Sequence, residues 1–144
     1  MSNYDSYRKH LMSQLKYPHP ADILPNTAFI SIAVPTFCRP FYLEKLLDTL
    51  QEYADMPYEV VVHDDGSRPE FRDAVFKMSD RISTLSFNNG TNLGLGESAN
   101  RAVALASSKY VLFMNDDCFF VKPCLRDVCN VLEKLYIGVI SPAN

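Results

Sequence analysis

Apolar residues along this chain come in short runs that alternate with longer stretches of helical spacing. Over residues 5–17, Tyr7, Leu11 and Leu15 recur at near-helical intervals, and Pro18, Pro20 and Pro25 then break the pattern. This predicts an amphipathic helix followed by an extended linker. From Phe29 the character changes. A β-type run over 29–34 precedes a helix over 39–53 that keeps Leu43, Leu46, Leu47 and Leu50 on one face. The alternation then repeats, with strands predicted over 58–63, 82–87 and 109–114 and helices over 69–78, 97–107 and 123–135. A fifth strand opens at 136–140. Strands joined by helices of this length need right-handed crossovers, so the predicted class is α/β: a mostly parallel twisted sheet with helices on both faces. The linker sets the one boundary, between an amino-terminal appendage at 1–27 and a sheet domain at 28–144.

Composition narrows the picture. With 144 residues, 47% hydrophobic and 22% charged, the chain has the make-up of one globular domain. A net charge of −3 provides no general field toward nucleic acid or an anionic membrane, so any polyanion must be held locally. The amino end is polar, with Arg8, Lys9 and His10 in its middle, unlike a signal peptide, and no apolar run reaches membrane-spanning length. Cys38, Cys118, Cys124 and Cys129 lack paired metal-finger spacing and read as reduced thiols, which argues against zinc and for a cytoplasmic location.

In such sheets ligands bind beyond the carboxyl ends of the strands, so the residues just after each apolar run carry the information. They are Pro35-Thr36-Phe37-Cys38-Arg39, His63-Asp64-Asp65-Gly66-Ser67, Asn88-Asn89-Gly90-Thr91-Asn92 and Asn115-Asp116-Asp117. Adjacent carboxylates at a strand end repel each other and lose hydration, a cost that a divalent cation or ligand hydroxyls offset. Oxygen-only ligation suits Mg2+ or Mn2+, which leave part of their shell to diphosphate oxygens. Two plainer roles remain open: Asp116 and Asp117 as helix caps, and Asp64 to Ser67 as an Asx-type turn. Finding both pairs at parallel strand ends favours a site. The segment from Asn92 to Arg101 is a glycine-bearing loop entering a helix, a place where backbone amides can receive an anion. It follows the third strand, lacks a third fingerprint glycine and has no phosphate-loop Lys-Ser or Lys-Thr, which argues against dinucleotide and P-loop folds.

The order of these motifs resembles the family 2 glycosyltransferases of the GT-A fold. The resemblance rests on Val34 to Pro40, with Cys38 where Asn is usual; on the Asp64 to Ser67 turn; on Asn92, Gly94, Asn100 and Arg101; and on Asp116, Asp117 and Pro123. It covers residues 29–141. It implies a Rossmann-like half that holds a nucleoside diphosphate sugar, with UDP-sugar favoured, and that transfers the sugar with inversion to a glycan or other acceptor hydroxyl. Carried onto this sequence, Pro35, Thr36 and Arg39 line the base pocket, and Asp64, with Asp65, bonds the nucleobase. Asn92 and Gly94 belong to the glycine loop, and Arg101 faces the nucleotide or braces the carboxylates. Asp116 contacts the ribose or sugar and joins Asp117, the metal ligand. Asn115 departs from the frequent triple-Asp form and is a weak ligand candidate.

Plainer roles also apply to Arg39 as a solvated helix-start residue and to Arg101 as a structural ion pair. His63 reads as a filler at a strand end, and Tyr110, Phe113, Phe119 and Phe120 as core. The glycine-rich first loop of sugar nucleotidyltransferases is missing between Pro35 and Pro40. The base of inverting members follows the metal motif, so it is expected beyond Asn144, and the chain reads as the donor half, truncated or natural. A non-catalytic nucleotide-sugar-binding module is the alternative, and the amino-terminal helix is expected either to cover an apolar face or to form a homo-oligomer.

Overall fold

A computed structural model describes residues 29–88 and 90–135. The predicted appendage at 1–27 and the fifth strand at 136–140 lie outside the described residues. Within them, the alternation of strand and helix appears as expected: β1 (Ile30–Thr36), α1 (Pro40–Tyr53), β2 (Tyr58–Asp64), α2 (Pro69–Phe76), a 3-10 turn (Ser79–Arg81), β3 (Thr84–Phe87), α3 (Leu95–Leu105), β4 (Tyr110–Phe113) and α4 (Leu125–Leu135). The strands form one parallel sheet in the order β3-β2-β1-β4. The chain therefore builds outward from β1 through β2 to β3, then crosses back to add β4 on the other side of β1. The reversal opens a crevice at the carboxyl ends of β1 and β4, where α/β sheets receive ligands.

Residue parity explains the two layers. Ile30, Ile32 and Val34 of β1 and Val60 and Val62 of β2 form one core with Leu43, Leu46, Leu47 and Leu50 of α1, Val75 of α2, and Leu125 and Cys129 of α4. The opposite parity, including Ala33 and Val61, lies under α3, where Ala102 and Ala104 are buried and small enough for helix and sheet to approach closely. Every residue of β1 is buried, as expected of a central strand covered on both faces.

Proline starts α1 and α2, at Pro40 and Pro69, where its missing N–H would have had no helical partner in any case. The carboxylate of Asp55, from the loop after α1, accepts the Arg126 N–H at 3.1 Å in the first turn of α4. One core assignment is corrected. Phe120 is buried, and Tyr110 and Phe119 pack against the core, but Phe113 is 43% exposed. It pairs in register with Ala33 and thus lies on the α3 face of β4, where α3 makes few contacts.

Candidate functional site

The loop after β1, the turn after β2, the glycine loop before α3 and the segment after β4 surround one cavity of about 400 Å³. Of the residues singled out in sequence, Pro35, Thr36, Arg39, Asp65, Asn92, Asp116 and Asp117 line it. Asp64, Gly94 and Arg101 do not, although each contacts a segment that does.

At the β4 side, Asp116 is buried and Asp117 exposed. Thr36 Oγ1–H donates to Asp116 Oδ2 at 2.8 Å, linking the tips of β1 and β4. Arg39 Nη1 lies 2.9 Å from Asp117 Oδ2 and 3.6 Å from Asp116 Oδ1. Burial raises the Asp116 carboxyl above its ordinary pKa, against the lowering effects of Thr36 and Arg39. The two carboxylates offer oxygen ligands only and leave most of a coordination shell to other groups, a donor set that fits Mg2+ or Mn2+ shared with a diphosphate. Among the described residues no group of three or more His, Cys, Asp or Glu is placed to hold a metal ion.

At the α3 side the pair after β2 divides its work. Asp64 is fully buried, and its Oδ1 accepts the Ser67 N–H at 2.7 Å in an Asx turn. The expected contact of Asp64 with a nucleobase is therefore not matched by its position, because the side chain turns into its own loop. Asp65 does line the cavity, and its carboxylate accepts from Asn88 Nδ2 at 3.0 Å, from Leu93 N–H at 3.0 and 3.1 Å, and from Gly94 N–H at 2.9 Å. Burial pushes the Asp65 pKa up, but Leu93, Asn88, Ser98 and Gly94 together hold it below the ordinary value. The glycine loop is fitted closely to this turn: Gly66 has φ +80° and a Cβ there would stand 3.1 Å from the Thr91 backbone. Gly94, at φ +89°, caps α3 in a conformation that brings its N–H to Asp65.

Arg101 donates from Nε to Glu97 at 2.9 Å and from Nη1 to Asn88 Oδ1 at 2.9 Å, so it braces Asp65 through Asn88 instead of facing the cavity. His63 is buried, shares a 2.8 Å hydrogen bond with Ser86 and has a pKa lowered to about 4, chiefly by burial and then by Arg101. It is the filler its sequence context predicts. Asn115, the weak ligand candidate, also lines the cavity, as do Leu95, Ser98 and Phe37; sequence reasoning assigned no role to these last three or to Asn88, which organises the cavity. Phe37 sits inside the Pro-Thr-aromatic segment and could have been found there. Asn88 stands at the end of β3, where its position could be read, but its role could not, because its partners are assembled only by the fold.

A parallel α/β sheet with a carboxylate-lined crevice at its topological switch point has its cavity where such folds receive ligands. The chain matches the family description "Glycosyl transferase family 2" over residues 31–143 and belongs to that family. It is 30% identical over 116 residues to the poly(ribitol-phosphate) beta-N-acetylglucosaminyltransferase TarS of Staphylococcus aureus, covering 76% of this chain and 20% of that protein. It is 31% identical over 115 residues to the GalNAc(5)-diNAcBac-PP-undecaprenol beta-1,3-glucosyltransferase of Campylobacter jejuni, covering 78% of this chain and 37% of that one. Among solved structures, S. aureus TarS 1–349 in complex with UDP-GlcNAc aligns with a TM-score of 0.65 at 28% identity, over 75% of this chain and 32% of that one. The mannosyltransferase PcManGT from Pyrobaculum calidifontis, in complex with GDP-Man and Mn2+, aligns with a TM-score of 0.60 at 21% identity, over 95% and 41% of the two chains. The fold is that of GT-A glycosyltransferases. The chain spans between a fifth and two fifths of the lengths of these relatives. Among the described residues no helix is long and apolar enough to cross a membrane.

Proposed function

We propose that this chain is the donor-binding part of a metal-dependent inverting glycosyltransferase that takes a UDP-sugar. The observation that carries the reading is the convergence of Asp65 from β2 with Asp116 and Asp117 after β4 on one cavity at the switch point. Asp117, assisted by Asp116, would hold Mg2+ or Mn2+, which when bound supplies a Lewis acid for the charge that grows on the departing diphosphate. The protein's own groups divide the rest of the work. Thr36 fixes Asp116 by its hydrogen bond, and Arg39 stands close enough to both carboxylates to meet an anion drawn to them. Asp65, acceptor only and kept ionised, takes an N–H from the base, and the exposed ring of Phe37 offers a stacking surface beside it.

Uracil is supported by the UDP and UDP-GlcNAc complexes of TarS at 28% identity. Among the described residues the three carboxylates in the cavity already have the roles given above, and none is assigned as the proton acceptor for the incoming hydroxyl. Four free thiols among the described residues fit a reducing, cytoplasmic setting.

Calorimetry with UDP, with and without Mn2+, tests the reading. Mn2+ is expected to tighten UDP binding, and Asp117→Ala is expected to remove that gain, a loss of about tenfold or more. Binding that ignores both the metal and the substitution would count against the proposal.

A further inference from the structure

Three segments around the cavity meet at Asn88, the first residue past β3. Its Nδ2 donates to Asp65 Oδ1 at 3.0 Å and to the Thr91 carbonyl at 3.1 Å, while its Oδ1 accepts from Arg101 Nη1 at 2.9 Å. The backbone is tied as tightly: its N–H donates to the Asp64 carbonyl at 2.8 Å, and its carbonyl accepts from Arg72 Nη2 at 3.1 Å. A primary carboxamide supplies two N–H donors and an acceptor in one plane, and each is used here. Aspartate at this position would set a second carboxylate against Asp65. An aliphatic chain would leave Asp65, Thr91 and Arg101 each short of a partner.

The consequence falls on Asp65, the carboxylate on the α3 side of the cavity. Three N–H groups reach it, from Asn88, Leu93 and Gly94, with the Leu93 N–H shared between both oxygens. Two of these contacts fall on each oxygen, which fixes the plane of the carboxylate and the direction in which it meets a ligand in the cavity. An acceptor-only group that stays ionised repels phosphate and selects an N–H or O–H. Arg101, itself paired with Glu97, polarises the Asn88 amide and so strengthens the donor that Asp65 receives.

We propose that Asn88 is a positioning residue for the nucleoside end of the donor: it fixes the Asp65 carboxylate, with Arg101 acting through it, so that Asp65 accepts the imide N–H of a uracil ring. The inference rests on the UDP-sugar reading above and adds to it a residue that touches no substrate.

The test is calorimetry of the 144-residue chain with UDP, CDP and pyrophosphate, each with Mn2+, at pH 7. Asn88→Leu is expected to weaken UDP binding about tenfold at pH 7, the scale of one lost hydrogen bond to a charged group. Pyrophosphate binding stays as it was, and the preference for UDP over CDP narrows, because cytosine has no N–H at that ring position. Arg101→Gln, milder and less disruptive to the loop, shifts UDP affinity the same way by a smaller factor. Unchanged UDP affinity in both variants would overturn the proposal. Loss of pyrophosphate binding together with UDP would do so too, since it would mean that Asn88 merely holds the loops together. A folded parent chain that binds pyrophosphate but no UDP would instead sink the donor reading itself.

Discussion

Arg39 is placed to compete with the cation it would later work beside. Its guanidinium sits on Asp117 and near Asp116, the two carboxylates proposed as metal ligands, so a cation bound there would have to displace it. The Arg39 side chain is 52% exposed, which keeps the contact weak. Arg39→Gln is therefore expected to have effects of opposite sign: Mn2+ alone binds up to about fivefold more tightly, whereas UDP with Mn2+ binds more weakly. Mn2+ titration followed by electron paramagnetic resonance reads the first and calorimetry the second. A loss in both would mean that Arg39 is an architectural helix-start residue. Its neighbour Cys38 has φ +55°, the one described non-glycine residue in the left-handed region, and its N–H donates to Ser67 Oγ at 2.7 Å. Asparagine tolerates that conformation better than cysteine. Cys38→Asn should keep the backbone bond and stabilise the chain by about 0.5–1 kcal/mol, a rise of a few degrees in Tm. No change in Tm would mean that the turn is not strained.

The elements show how far sequence reaches. The parity of Ile30, Ile32 and Val34 and the spacing of Leu43, Leu46, Leu47 and Leu50 predict β1 and α1 because each pattern reports on one face and one neighbouring layer. Boundaries shift where local and tertiary preferences differ. The helix predicted to begin at Glu97 starts at Leu95, since Gly94 reaches its cap conformation while bonded to Asp65, a partner on another strand. The strand predicted from Ile82 begins at Thr84 because a 3-10 turn occupies Ser79–Arg81. The candidate site was legible to the same degree: Thr36, Asp65, Asp116 and Asp117 stand at strand ends, and strand ends can be counted in sequence. Which of Asp64 and Asp65 faces the cavity could not be read, because the answer depends on an Asx turn and on amides some 28 residues away. Glu59 was invisible for that reason too. It is a buried carboxylate in an apolar strand, satisfied by Ser31, Ser107 and Ser108 at the end of the sheet away from the cavity.

At the scale of the whole molecule, these buried groups make the fold sensitive to acid. His63 is held neutral by burial and by Arg101, against the opposing influence of Asp65 and Glu97, and its pKa falls from 6.5 to about 4. A base whose pKa is lowered in the fold adds stability that is complete above the unfolded value and is lost as pH falls toward the folded one. The loss therefore lies between pH 6.5 and about 4 and comes to roughly 3 kcal/mol. Glu59 acts lower on the scale. Burial opposes its ionisation, yet the bonds from Ser31, Ser107 and Ser108 prevail and set its pKa below 4.5, so its contribution is present above that value and disappears as pH drops through the folded pKa. The two windows separate the groups in experiment. Urea unfolding of the parent should give a stability that declines from pH 6.5 to 4.5 and steepens below, where Glu59 also takes up its proton. His63→Gln should flatten the upper slope and leave the lower one, whatever its stability at pH 7. An upper slope that survives the substitution would assign that proton to a different group and would remove His63 from the account of why this sheet, with its carboxylate rim, stays folded near neutrality.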